Sequence, residues 1–152
     1  GPNTPMLAAC WLAVLKAGRP GIGGTVMFLG TVRELSDGAQ VSAMTLEHYP
    51  GMTEKALASI VDDAKSRWAI ADALVIHRVG ALRPADQIVL VGVTSTHRGD
   101  AFAACEFIID YLKTRAPFWK KEETPDGARW VEARASDDDA AARWRAPSRP
   151  GE

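Results

Sequence analysis

Residues 97–134 of the chain read HRGDAFAACEFIIDYLKTRAPFWKKEETPDGARWVEAR, and this stretch decides how the remaining sequence is interpreted. Apolar residues at three- and four-residue steps predict a helix over about residues 101–114, with Asp100 as its N-cap and Pro117 closing it. Strands are predicted at 118–123 and 128–134, joined by a Thr-Pro-Asp-Gly turn. The basic side chains of this stretch are His97, Arg98, Lys113, Arg115, Lys120, Lys121, Arg129 and Arg134. In a chain whose formal net charge is only -1, this concentration of basic side chains indicates a site for an anion.

The other predicted elements alternate between strand and helix patterns. They are strands at 25–33 and 41–49, a helix at 53–68, strands at 74–79 and 88–96 with a turn at 82–86, and, after residue 134, a short helix from about 136 to 144. We expect the first two strands to pair as a hairpin about the Ser-Asp-Gly turn at 36–38, and Thr53 to be the N-cap of the first long helix. The predicted fold class is α+β, with one mainly antiparallel sheet, helices packed on one face, and a ferredoxin-like βαββαβ order.

Length and composition fit one folded domain. The chain has 152 residues, of which 47% are hydrophobic and 24% are charged, so it can bury a core. We expect residues 1–5 to be an expression remnant or disordered, residues 6–144 to form a single domain, and residues 145–152 to be a flexible tail. The apolar run at 6–15 is too short to cross a bilayer and is predicted to be a core helix, so no membrane partner is expected.

Charge and cysteine usage exclude further classes of protein. A pI near 6.4 is unlike the basic domains that bind nucleic acid, so no nucleic-acid partner is expected. The two cysteines, Cys10 and Cys105, are far apart, and the three histidines lack ligand spacing, so neither a metal site nor a disulfide framework is expected. A reduced, cytoplasmic protein fits this cysteine usage best.

The candidates for chemistry are cationic. His97 and Arg98 stand where a strand ends and a helix begins, and there free backbone N–H groups and a guanidinium can bind phosphate. Lys120, crowded by Lys121, is a candidate general base or nucleophile, because neighbouring cations lower the proton affinity of an amine. Lys113 lies in a last helical turn, where a cation is favoured in any case. Solvated structural cations remain the alternative for each of them.

Helix geometry constrains any site that uses all of these groups. About 20 Å of helix separates His97 and Arg98 from Lys113, so one pocket can hardly use both ends of the same helix. A two-fold dimer would bring the first pair from one subunit against Lys113 and Lys120 of the other. A site shared across the dimer is therefore a hypothesis.

Six pieces of the chain, in this order and spacing, resemble the large, catalytic subunit of molybdopterin synthase, the MoaE family. They are FLGTVR, TLEHYPGMTEKAL, VIHRVGAL, VGVTSTHRGDAF, DYLKTRAPFWKKE and DGARWVEAR, and the likeness covers nearly all of residues 24–144. It implies an α/β-hammerhead element and a catalytic role for the domain at 6–144. The implied activity is that of a sulfurtransferase in molybdenum cofactor biosynthesis, which converts cyclic pyranopterin monophosphate (precursor Z) into molybdopterin.

The resemblance also implies partners. Sulfur arrives as a thiocarboxylate on the C-terminal glycine of a small ubiquitin-like subunit, so this chain needs no sulfur nucleophile and no cofactor of its own. Two large subunits form a central homodimer with a small subunit on each side, which makes a heterotetramer.

Roles are carried over residue by residue. Lys113 in YLK and Lys120 in FWK occupy the positions of the family's essential lysines and are the implied catalytic residues, with the division of acid and base roles left open. The implied substrate-binding residues are Thr31, Val32, Arg33, His97, Arg98, Lys121, Glu122 and Arg134. Thr31 stands where relatives often have a basic residue, which puts a charge contact there in doubt. The competing interpretations are a non-catalytic docking module for a ubiquitin-like tail and a small nucleic-acid binder, and the net charge counts against the latter.

Overall fold

The computed structural model of the chain describes residues 20–36, 39–48, 50–115, 118–131 and 135–145. Its strands are β1 (Gly24–Thr31), β2 (Leu35–Ser36), β3 (Ala39–Gln40), β4 (Ala43–His48), β5 (Ile70–His77), β6 (Gly80–Leu82), β7 (Gln87–Ser95), β8 (Phe118–Thr124) and β9 (Gly127–Val131). Its helices are α1 (Met52–Arg67), α2 (Arg98–Thr114) and α3 (Ala135–Ala142). The segment predicted as a remnant at 1–5, the predicted helix at 6–15, Pro117, Arg134 and the predicted tail beyond Arg145 lie outside the described residues. Among those residues, no helix is long and apolar enough to span a membrane.

The strands form antiparallel sheets, so the predicted α+β class is confirmed. One sheet has the order β1-β7-β5, a second has the order β6-β4-β8-β9, and β2 and β3 pair as a short ladder. The predicted hairpin between the first two strands is wrong, because β1 pairs with β7 whereas β4 pairs with β6 and β8. The ferredoxin-like order is not confirmed, since β4 and β7 belong to different sheets. The nearly continuous apolar run of β7, buried from Leu90 to Ser95, suits the centre of a sheet covered on both faces.

The main core lies between α2 and the three-stranded sheet. The buried side of α2 is formed by Ala101, Ala104, Cys105, Phe107, Ile108 and Leu112, which confirms the predicted apolar stripe. This side packs with Val91 and Val93 of β7 and with Ile60 and Ala64 of α1. Cys105 is buried as expected of a structural thiol, and burial, with a smaller contribution from the charge of Glu106, raises its pKa to about 11.

Both predicted N-caps are displaced by a few residues. α1 is capped at Gly51, whose N–H donates to the Glu54 carboxylate at 2.5 Å, and Thr53 is buried inside the first turn. Gly51 has φ 85°, a conformation that glycine adopts without strain. α2 is capped at His97 rather than Asp100, since the helix begins at Arg98, soon after β7 ends at Ser95; the His97 N–H donates to the Ser95 hydroxyl at 3.2 Å.

Candidate functional site

Strand register assigns the predicted site residues to opposite ends of the three-stranded sheet. Gly24 of β1 lies opposite Ser95 of β7, and Thr31 lies opposite Gln87. His97 and Arg98 follow Ser95, so they lie at one end, while Thr31 lies about 27 Å along the strands at the other end. Helix α2 runs back antiparallel to β7 and returns Lys113 toward the Thr31 end.

The His97–Arg98 pair sits at the amino end of α2, and both side chains are exposed. The strand end approaches closely here, since a Cβ added to Gly24 would lie 3.4 Å from the Arg98 Cα. Because α2 is one continuous helix, about 22 Å separates Arg98 from Lys113. The predicted separation of these groups within one chain is therefore confirmed.

Thr31 is the last residue of β1, Val32 and Arg33 follow it, and a turn at residues 83–86 holds Val32. The Val32 N–H donates to the Asp86 carbonyl oxygen at 2.9 Å, and the Val32 carbonyl oxygen accepts from the Ala85 N–H at 2.9 Å. The Val32 side chain is buried, whereas Thr31 and Arg33 are exposed. Because the Val32 N–H and carbonyl oxygen are bonded to the turn, the exposed side chains of Thr31 and Arg33 are the groups here that can contact a ligand.

Lys120 and Glu122 share one face of the four-stranded sheet, which we call the inner face. Glu122 is 1% exposed and lies opposite Met44 of β4 and Arg129 of β9, while Lys120 lies opposite the buried Leu46. Lys120 Nζ is 3.8 Å from Glu122 Oε1, and Arg129 Nη2 is 3.6 Å from Glu122 Oε2. A buried carboxylate is thus held between two partly exposed cations.

Lys121 points to the opposite, outer face, because successive side chains of a strand alternate. It lies across from Trp130 of β9 and Thr45 of β4. Its Nζ is 5.8 Å from the centroid of the Trp130 ring, within cation–π range, and Trp130 is exposed. The three neighbouring residues predicted to bind substrate or act in catalysis, Lys120 to Glu122, are therefore divided between the two faces.

Lys113 lies exposed in the last turn of α2, close enough to His77 for its positive charge to act on the imidazole. Burial lowers the pKa of His77, and the positive charge of Lys113 and the proximity of His48 lower it further, against an opposing hydrogen bond to Arg78. That hydrogen bond joins His77 Nδ1 and the Arg78 carbonyl oxygen at 2.8 Å, so Nδ1 carries the proton and donates.

Sequence reasoning missed His77 and Arg129 as neighbours of the predicted lysines. The signal for Arg129 was the Pro-Asp-Gly turn, whose register determines which residue of β9 faces Glu122. No local signal identifies His77. Among the described residues, no three His, Cys, Asp or Glu side chains are arranged to hold a metal ion.

The architecture is that of an α+β protein whose cationic residues gather near the ends of α2 and on β8. The chain belongs to the MoaE protein family, whose model matches residues 5–115, so the predicted family is confirmed. It is 69% identical over 133 residues to the molybdopterin synthase catalytic subunit of Ralstonia nicotianae, covering 88% of this chain and 76% of that protein. It superimposes on the molybdopterin biosynthesis MoaE protein of Burkholderia ambifaria with a TM-score of 0.75 and 59% identity, covering 90% and 89% of the two chains.

A more distant structure shares the fold. It is the complex of subunits 1 and 2 of the molybdopterin-converting factor from Helicobacter pylori, with a TM-score of 0.65 and 19% identity over 85% of this chain and 82% of that one.

Proposed function

We propose that this chain is the catalytic subunit of a molybdopterin synthase, with its catalytic domain over residues 6–144. In this role it transfers sulfur from the thiocarboxylated C-terminus of a small ubiquitin-like subunit to cyclic pyranopterin monophosphate (precursor Z), forming the dithiolene of molybdopterin. The observation that carries the proposal is the 69% identity over 133 residues to a relative named molybdopterin synthase catalytic subunit. The two-subunit complex of the Helicobacter pylori protein supports a small-subunit partner.

The two lysines fit the charge changes of this reaction. Negative charge develops at the carboxyl end of the sulfur-carrying tail as sulfur is transferred, and a positioned ammonium group stabilises such charge. Lys113 is exposed at a helix end and the Lys120 side chain is 36% exposed, so both amines can be reached by a tail arriving from solvent. Either amine can also donate or accept a proton, and we leave the acid and base roles unassigned.

The phosphate of the pterin can be bound by guanidinium and imidazolium donors and by free backbone N–H groups. Arg33 lies near the Lys113 end of the sheet, whereas His97 and Arg98 lie at the far end. We infer that His97 and Arg98 serve a site completed by Lys113 and Lys120 of a second copy of the chain, which requires a homodimer and, with two small subunits, a heterotetramer.

Mixing two inactive variants tests the shared site. In a randomly exchanged 1:1 mixture of Lys113→Ala and Arg98→Ala, half of the dimers are mixed, and each mixed dimer has one intact site. Activity should therefore recover to about a quarter of the wild-type value. No recovery after verified subunit exchange would show that both residues act within one chain.

A second experiment separates an enzyme from a docking module. Purified protein is supplied with precursor Z and thiocarboxylated small subunit, and the dithiolene pterin is measured. Lys113→Ala and Lys120→Ala should each lower product formation by about a hundredfold or more, while partner affinity stays within about threefold. Lys55→Ala, a substitution of an exposed lysine in α1, is the matched control and should keep full activity. A loss of partner binding with no effect on turnover of the bound complex would refute the catalytic role.

A further inference from the structure

Arg129 has no role among the residues assigned by family resemblance, yet it contacts the same carboxylate as Lys120. The two cations approach opposite oxygens of Glu122, Lys120 at Oε1 and Arg129 at Oε2. The Glu122 side chain is 2% exposed, whereas those of Lys120 and Arg129 are 36% and 38% exposed. The Glu122 carboxylate is thus buried between two cationic side chains, Lys120 and Arg129, that both reach solvent.

Strand register builds this arrangement. Glu122 of β8 lies directly opposite Arg129 of β9, and Lys120 lies two residues along β8 on the same face. On the β4 side, the inner face continues with Met44 and Leu46, both buried and apolar. An ionised carboxylate in such surroundings is stable only when cations or hydrogen-bond donors compensate it.

We propose that Arg129 is a positioning residue for Lys120, acting through the buried carboxylate of Glu122. Arg129 approaches one oxygen of Glu122 and neutralises part of its charge, which weakens the attraction between this carboxylate and the Lys120 ammonium 3.8 Å away. Lys120 can then turn toward a ligand at the solvent side instead of collapsing onto the carboxylate. The contribution to turnover rests on the proposed function, whereas the effect on the Lys120 amine does not.

Substitution of Arg129 and substitution of Glu122 should change the Lys120 amine in opposite directions. Removal of the Arg129 charge makes the surroundings of Lys120 more negative by one unit, which favours its ammonium form and draws it inward. Removal of the Glu122 charge makes the surroundings more positive by one unit, which favours the free amine. Both are differences of one charge, so they hold whatever other groups contact these side chains.

The reactivity of the Lys120 amine measures this effect directly. A short pulse of acetic anhydride at pH 7.5, followed by peptide mass mapping, gives the acetylation rate of Lys120 relative to Lys55 in the same chain. Arg129→Met should slow Lys120 about fivefold and Glu122→Gln should speed it by a similar factor. Arg129→Lys should restore the wild-type rate within about twofold.

The matched control is Arg143→Met, which removes an arginine paired with Glu106 and Asp110, remote from β8, and should leave the rate for Lys120 unchanged. Circular dichroism establishes that each variant is folded. If Arg129→Met is unfolded at the assay temperature, Arg129→Gln is used in its place. An unchanged Lys120 rate in the folded Arg129 variant, or a shift in the same direction in Arg129→Met and Glu122→Gln, would overturn the inference.

The synthase assay supplies the second readout. Arg129→Met should lower kcat about tenfold with little change in the KM for precursor Z. The limb of the pH–rate profile that depends on Lys120 should shift to higher pH. A wild-type protein that makes no dithiolene, with the opposite acetylation responses present, would overturn the proposed function and support the role of Arg129. A wild-type protein that is active, with unchanged kcat and pH profile in Arg129→Met, would overturn the role of Arg129 and leave the proposed function intact.

Discussion

Replacement of Phe107 by alanine should destabilise the protein more than other single truncations in α2. The ring is fully buried, and its centroid lies 4.6 Å from Tyr111, 5.3 Å from Trp68 and 5.8 Å from Trp144. Truncation of a buried phenylalanine costs about 3–5 kcal/mol, and lost aromatic pairs favour the upper part of that range. We therefore expect about 4 kcal/mol, which for a chain of this length lowers Tm by about 12 °C.

Phe102→Ala is the matched control, because Phe102 lies in the same helix and its side chain is 61% exposed. Its effect should stay within about 0.5 kcal/mol. Urea unfolding followed by far-UV circular dichroism gives both free energies, since the far-UV signal reports helix content without depending on the removed ring. A cost below about 2 kcal/mol for Phe107→Ala, or similar costs for the two variants, would refute the packing described around α2.

Three further substitutions or treatments test separate features. Gly23→Ala should cost more than about 2 kcal/mol because the added Cβ would overlap the carbonyl oxygen of Thr96, whereas Gly21→Ala, with no atom within 4 Å of the added Cβ, should be nearly neutral in urea unfolding. The Cys105 thiol, whose pKa is raised to about 11, should resist iodoacetamide at pH 7.5 in the folded protein and react in urea, as peptide mapping will show. Burial lowers the pKa of His77 from 6.5, so the unfolded chain binds this proton more tightly. Its stabilising contribution should be complete above about pH 6.5 and decline as pH falls toward the folded-state pKa, and His77→Asn should flatten Tm against pH in that range.

Local patterns were sufficient to predict the long elements, whereas the short strands β2, β3 and β6 were not predicted. The apolar stripe of α2 and the continuous apolar run of β7 each predicted an element that the structure contains. Such periodicity depends only on residues close in sequence, so it can be read without knowledge of the partner surface. The exact first residue of a helix is less readable from such patterns, and α2 has its N-cap at His97, three residues before the predicted Asp100.

Strand pairing could not be predicted in the same way. β1 and β4 are neighbours in the sequence, yet β1 pairs with β7, more than fifty residues away. The predicted turn was expected to join β1 and β4 in a long hairpin, but the strands that pair on either side of it are the two-residue strands β2 and β3. Each strand can form backbone hydrogen bonds with any other strand of the chain, so neighbouring strands need not pair with each other. The most apolar strand, β7, lies at the centre of its sheet, where both of its faces are buried.

For the candidate site, too, some features could be predicted from the sequence and others depended on the tertiary structure. Family resemblance predicts Lys113 and Lys120 as the catalytic residues, and the continuity of α2 already required that His97 and Arg98 lie far from Lys113. The alternation of β8 explains why Lys121 faces Trp130 while Lys120 does not. The alternation of side chains along β8 could be predicted from the sequence. Which of its two faces is buried could not, because that depends on the elements that pack against the sheet.

The sequence alone was enough to predict the family, the α+β class, the approximate positions of the long helices and strands, and the cations available for an anionic ligand. These properties follow from residue type and short-range periodicity. Only the tertiary structure decided that β1 and β4 enter different sheets and that Arg129 meets Lys120 across the buried carboxylate of Glu122. Such contacts depend on strand register and on the burial of one sheet face, which arise from interactions between residues distant in the chain.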